Sequence, residues 1–150
     1  MLDEDIFKKY KNEVLDINYI KWLEKEYGLP NLWPYLYLDR IIMQSQTIRE
    51  YPYDKPLLSH EEMLKVMQCY AKSIMEFIEK EKPDFIILNA IGSLGSKLLY
   101  QIAKKKGIKT LIIDYTRVEN RITVSEDYHF FTGITHTFNE YMMSDAPDPY

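Results

Sequence analysis

The feature that most constrains the fold is a strand, loop, helix and strand pattern between residues 84 and 114. Asp84-Phe85-Ile86-Ile87-Leu88-Asn89 is a short apolar run bounded by Pro83 and by the small-residue stretch Gly92-Ser93-Leu94-Gly95-Ser96, and it reads as a buried strand. From Ser96 to Lys106 the residues Leu98, Leu99, Ile102 and Ala103 fall on one helical face. Lys104-Lys105-Lys106 occupies the last turn, where cations complement the helix dipole, and Gly107 supplies a left-handed terminator. Lys109 to Asp114 carries a second apolar strand, Leu111-Ile112-Ile113. A strand, a helix and a strand at this spacing make one βαβ unit, whose strands are parallel and whose crossover is right-handed. The expected class is α/β: a Rossmann-like parallel sheet with flanking helices.

The flanking sequence adds helices on the amino-terminal side. Ser59-His60-Glu61-Glu62 is a capping box, in which a serine oxygen and a glutamate carboxylate each satisfy a free backbone donor. Behind it Met63, Val66, Met67, Tyr70, Ala71, Ile74, Phe77 and Ile78 follow one face until Pro83, and this helix is expected to pack on the sheet. Residues 1–57 hold both tryptophans and many tyrosines, interrupted by Pro30, Pro34, Pro52 and Pro56. Ile6, Tyr10, Val14 and then Ile17, Ile20, Leu23 have helical spacing, with a stop at Gly28-Leu29-Pro30. Tyr35, Leu38, Ile41 and Ile42 suit a further helix with Pro34 at its first position, where the missing N–H costs nothing. This segment is expected to be helical, aromatic-rich and packed on the core. After Asp114, Ile122-Thr123-Val124 suits a short strand, and Tyr128 to Met143 has aromatic residues without clean periodicity. Residues 144–150 read as a tail or a truncated linker. The organisation is one α/β domain over 1–150, divided into 1–57, 58–143 and 144–150.

Composition excludes several function classes. The chain has 150 residues, 19 Lys+Arg against 23 Asp+Glu for a net charge of −4, and one cysteine. That length leaves no room for two domains of usual size, and the acidic balance argues against a nucleic-acid binder. A single cysteine excludes an internal disulfide and a Cys-rich zinc site. Cys69 has no cationic cluster beside it and reads as inert. His60, His129 and His136 lack metal-ligand spacing, so neither a metal nor a cofactor is expected. The start Met1-Leu2-Asp3-Glu4-Asp5 is acidic where a signal peptide is basic, and no apolar run reaches membrane-spanning length. A cytoplasmic chain, at most peripheral at the inner face of a membrane, is the expectation.

Two loops carry the candidate chemistry. Asn89, Gly92, Ser93, Gly95 and Ser96 lie at the carboxyl end of the first strand, where open α/β sheets bind ligands and a helix start offers N–H groups to an anion. The G-x-x-G spacing is neither a dinucleotide fingerprint nor a P-loop, and turn and cap chemistry alone accounts for it equally well. The second loop follows Asp114 at the same sheet edge. Arg117, Asn120 and Arg121 there could clamp an anionic sugar or phosphate, and Asp114, Glu119 or His129 are candidates for a general base. A solvated turn with local Arg–Glu pairing is the plainer reading. Asp127 with His129 suits an acid–base pair or ordinary packing, and Trp22, Trp33, Tyr35, Tyr37, Tyr51 and Tyr53 suit a sugar-stacking wall or, more simply, core packing.

The run from Lys82-Pro83-Asp84 through Lys105-Lys106-Gly107-Ile108, followed by Arg117-Val118-Glu119-Asn120-Arg121, resembles the amino-terminal region of capsule and surface polysaccharide biosynthesis proteins. These are glycosyltransferase-like proteins of two Rossmann-type domains, and the likeness covers roughly residues 60–130. The resemblance implies sugar transfer from a nucleotide-sugar during assembly of a surface glycan, with the acceptor held mainly by the amino-terminal domain. The chain departs from that pattern by ending where a second domain would begin, so independent catalysis is not expected of it. Two other readings stand beside this one: a non-catalytic module that docks a separate carboxyl-terminal domain or partner, and a nucleotide-sugar-modifying enzyme of the epimerase kind.

Overall fold

The computed structural model describes residues 6, 8–29, 31–39, 58–89, 91–115, 121–128 and 134–144. The expected elements Ile41, Ile42, Tyr51 and Tyr53 lie outside these residues. A single 3-10 turn, Tyr10–Asn12, precedes helix α1 (Ile17–Glu26) and the short α2 (Trp33–Leu38). Helix α3 (His60–Glu81), strand β1 (Phe85–Asn89), helix α4 (Leu94–Lys105), strands β2 (Lys109–Tyr115) and β3 (Ile122–Ser125), and helix α5 (Ile134–Met143) follow.

Local chemistry explains most boundaries. Asp16 caps α1 by accepting from the N–H groups of Asn18 and Tyr19. Ser59 and Glu62 form the reciprocal box expected at the start of α3. That helix ends on Lys82, which sits in the left-handed region at φ 45°, and Pro83 then prevents continuation. Gly107 terminates α4 at φ 74°, a conformation that glycine adopts without a Cβ clash. Pro34 falls in the first turn of α2, where it forfeits no helical hydrogen bond. Near the amino terminus the spacing of Ile6, Tyr10 and Val14 is only half realised. Ile6 and Tyr10 are buried, but the chain is no longer helical at Val14, which is exposed.

The three strands form one sheet in the order β1-β2-β3. β1 and β2 are parallel, with Phe85 opposite Lys109 and Asn89 opposite Ile113, as a βαβ unit requires. β3 is antiparallel to β2, with Tyr115 opposite Ile122 and Ile112 opposite Ser125. The sheet is therefore mixed rather than wholly parallel, because the connection over 116–121 is too short for a crossover.

The sheet is covered unequally. Ile86 and Leu88 of β1 and Ile112 of β2 face α4 and are buried with Tyr100 and Ala103. Phe85, Ile87, Ile122 and Val124 occupy the other face and are exposed. β1 is thus buried on one face only, although its sequence reads as apolar throughout.

The larger core lies between helices. Helix α3 seats its apolar face chiefly on α4 and not broadly on the sheet, with Tyr70, Ala71, Ile74, Leu94, Leu98 and Ile102 in one buried cluster. Among the amino-terminal aromatics Tyr10, Tyr27 and Tyr35 are buried in that cluster, and Trp33 packs partly buried against it. Trp22 and Tyr37 stay exposed.

One polar side chain inside this core ties the amino-terminal segment down. Gln68 of α3 is fully buried. Its Oε1 accepts from the Asp16 N–H at 2.9 Å, and its Nε2 donates to Val14 O at 2.9 Å and to Glu13 Oε1 at 2.6 Å. The Glu13 carboxylate is held below its ordinary value of 4.5, first by the Lys72 hydrogen bond and then by Gln68.

Replacing Gln68 by Met keeps the length of the side chain and removes these bonds, leaving the Asp16 donor and the Val14 acceptor to find other partners. A loss of about 2–4 kcal/mol in urea unfolding is expected, and an unchanged midpoint would show that solvent replaces the amide. A carboxyl held low in the folded state contributes stability above its ordinary value that is lost as pH falls through the folded value. Glu13→Gln should therefore flatten the fall of the thermal midpoint below pH 4.5, and parallel wild-type and variant curves would remove Glu13 from that role.

Candidate functional site

Parallel pairing of β1 and β2 brings the strand ends that lead into both predicted loops to one sheet edge. Asn89 ends β1, Asp114 lies near the end of β2, and Arg121 precedes Ile122, the residue paired with Tyr115. All three residues are exposed at that edge. Arg117, Glu119, Asn120 and His129 lie outside the described residues. Asp114 Oδ1 accepts from the Tyr115 N–H at 2.8 Å. Asp127 pairs with Lys104 at 2.6 Å.

The loop 91–96 is built as a cap. Ser93 Oγ accepts from the Ser96 N–H at 3.3 Å, and the Ser93 N–H donates to Ser96 Oγ at 3.1 Å. Asp39, from the end of α2, is buried and accepts from the Leu94 N–H at 3.1 Å through Oδ2. Three donors that a helix start leaves open to a ligand are therefore satisfied within the chain, and a carboxylate already complements the positive end of the dipole. An incoming phosphate would have to displace that carboxylate from the Leu94 N–H.

The two glycines of the loop have different reasons. A Cβ on Gly95 would lie 2.8 Å from Cε1 of Tyr70, a buried ring of α3, so the missing side chain is what lets α3 and α4 close. A Cβ on Gly92 would meet open space.

Beside this contact a cleft of about 300 Å³ opens at the carboxyl end of β1. Tyr70, Ile74 and Phe77 of α3 form one wall, Leu88 of β1 lies at the edge, and Ser93, Gly95, Ser96 and Leu99 form the other wall. The volume is at the lower end of ligand pockets, enough for a single ring. Among the described residues its lining is apolar with serine hydroxyls and one phenol, and includes no carboxylate, imidazole or ammonium group. This arrangement of rings and hydroxyls suits holding a ligand.

Half-buried Lys97 of α4 lies over the ring of Tyr128 at 4.0 Å and nearer its limit over Tyr35 at 5.8 Å. Burial lowers the Lys97 pKa. Cys69 is buried and burial pushes its thiol up, which agrees with an inert thiol. His60 is exposed and stacks on Trp33 at 4.4 Å, while His136 pairs with Glu140 at 3.2 Å. Among the described residues no group of His, Cys, Asp or Glu could hold a metal ion, and no helix is long and apolar enough to cross a membrane.

Sequence reasoning found Ser93, Gly95 and Ser96 but missed Asp39, Tyr70 and Phe77 as their neighbours. Asp39 carries no local signal, since its partner is 55 residues along the chain. In comparisons with known proteins, no family model matches the chain and no curated protein or solved structure is significantly similar to it.

Alanine in place of glycine ordinarily favours a helix by up to about 1 kcal/mol. At position 95 the Tyr70 clash should reverse the sign, with a net loss of roughly 1–2 kcal/mol, because inserting a methyl group into a closed contact costs about 1–3 kcal/mol. Gly92→Ala should be near neutral in the same denaturation measurement. Equal midpoints for the two variants would show that Tyr70 moves aside freely.

Proposed function

We propose that the chain is the acceptor-side α/β domain of a glycosyltransferase-like protein of surface or capsular polysaccharide biosynthesis, and that its cleft holds one neutral sugar ring of the acceptor. The observation that carries this reading is the lining of the cleft, where Tyr70 and Phe77 share one small cavity with the serines of a strand-to-helix loop at the carboxyl edge of β1. Aromatic faces suit the apolar face of a sugar, and hydroxyl and backbone groups suit its rim. The resemblance of residues 82–108 and 117–121 to the amino-terminal region of such proteins points the same way. Asp39 at the start of α4 favours a neutral saccharide over a phosphate. A cleft whose described lining is rings, aliphatic side chains and serines fits a domain that presents an acceptor while catalysis and the nucleotide-sugar contacts belong elsewhere.

A second reading is favoured by a separate observation. The apolar face of the sheet that α4 does not cover fits a non-catalytic module whose sheet is completed by another folded surface.

Phe77 is partly exposed, so its removal should spare the fold. Calorimetric titration with a panel of neutral mono- and oligosaccharides should show binding to the wild-type chain, weakened about tenfold or more by Phe77→Ala, as expected for loss of one aromatic contact. Binding that Phe77→Ala leaves unchanged would remove the cleft as the site. Nucleoside diphosphates binding while every saccharide fails would overturn the acceptor reading.

A further inference from the structure

The sheet is finished on one side. Among the described elements α4 is the one that packs broadly on it, and α4 takes the face of Ile86, Leu88 and Ile112. Strand register collects the other face. Phe85 and Ile87 of β1 stand beside Leu111, Ile113 and Tyr115 of β2, and these beside Ile122 and Val124 of β3. Phe85, Ile87, Tyr115, Ile122 and Val124 are 55%, 56%, 78%, 62% and 55% exposed, and Leu111 and Ile113 between them are half-buried.

Charge on this face is confined to its rim. Lys109, opposite Phe85, lies where β2 begins, and its ammonium pairs with Glu126 at 2.7 Å. Asn89, opposite Ile113, lies where β1 ends and is polar but uncharged. An apolar centre inside a polar rim is the anatomy of a protein interface and not of a sheet face in water.

Charge, shape and area all suit a second copy. In a twofold pair a surface meets itself, so a face with net charge at its centre repels its own copy. Here Lys109 and Glu126 neutralise each other within the chain, and the apolar centre brings no charge against its like. Two sheets of the same right-handed twist stack in near alignment with their inner side chains interdigitated, and a copy of this sheet has the same twist. The exposed side chains offer on the order of 700 Å² per copy, or about 1,400 Å² in a pair, within the range of about 1,200–2,000 Å² for stable complexes.

We propose that this chain forms a twofold dimer in which the open sheet faces of two copies stack on each other. The inference rests on the second reading of the preceding subsection and names the folded surface that completes the sheet. It is independent of the cleft, whose strand residue, Leu88, belongs to the covered face.

Sedimentation equilibrium on the whole chain at micromolar concentration tests the pairing. The wild type should have the mass of two chains, and Ile87→Lys with Val124→Lys, both at exposed positions, the mass of one. A cross-link reads the same contact without charged variants. Sheets stacked face to face lie about 10 Å apart, too far for a disulfide, so a short bis-maleimide is the bridge. β2 is the middle strand and crosses its own copy near the twofold. A chain carrying Ile113→Cys should therefore be joined to its like, and one carrying Lys105→Cys, exposed at the end of α4, should not; Cys69 is buried and does not compete. A wild type with the mass of one chain, or one that grows without limit with concentration, overturns the dimer. If the face variant keeps the mass of two chains, or Lys105→Cys is joined as readily as Ile113→Cys, the pair uses another surface and the proposal fails equally. An apolar dye separates that failure from failure of the second reading. Bound by a monomeric wild type and not by its face variant, the dye keeps the second reading with a different partner; bound by both alike or by neither, it removes that reading as well.

Discussion

The contact of the Tyr70 ring with the bare backbone of Gly95 sets the distance between α3 and α4, and the rest of the structure hangs from that pair of helices. Gln68 and Tyr70 are two residues apart on α3, which places them about 200° apart around the helix. One side of α3 therefore grips the amino-terminal segment through Gln68, and the other grips α4 through Tyr70. Both residues are buried, so α3 is a central helix enclosed from two directions and not the amphipathic cover of a sheet. α4 in turn carries the sheet on its far side through Tyr100 and Ala103.

The same contact determines the chemistry of the sheet edge. With α4 held against α3, the cleft is walled by ring faces on one side and by the capped serine loop on the other. The packing of α2 brings Asp39 to the first turn of α4, where its carboxylate occupies the position an anionic ligand would otherwise take. The loop's own serines and one distant carboxylate together pair three of the donors that its composition suggests for phosphate. Shape and apolar surface are what remain for recognition.

Features legible in the sequence are those decided within a few residues. The Ser59–Glu62 box, the glycine stop at 107 and the parallel β1–β2 pair all follow from local spacing, and all are present. Legibility ends where the partner is far away. Gln68 looks like an ordinary polar position on a helix until the segment 13–16, more than fifty residues earlier, is folded onto it. Asp39 is silent for the same reason. Gly95 was legible as a glycine with a purpose, but loop chemistry suggested ligand approach where the actual neighbour is a tyrosine ring from another helix. The direction of β3 turned on the length of the connection before it, a constraint weaker in sequence than the strand itself.

The uncovered sheet face is where sequence and structure disagree most usefully. A strand with one face in solvent alternates apolar and polar residues, because nothing rewards an apolar side chain on the wet side. β1 does not alternate: Phe85 and Ile87 are as apolar as Ile86 and Leu88, yet only the latter two are buried. β3 repeats the pattern with Ile122 and Val124 exposed. Two strands that make the same choice on the same face, set by the register of β2 between them, are not scattered surface residues. They have the composition of strands covered on both sides, while the fold described for a single chain covers one.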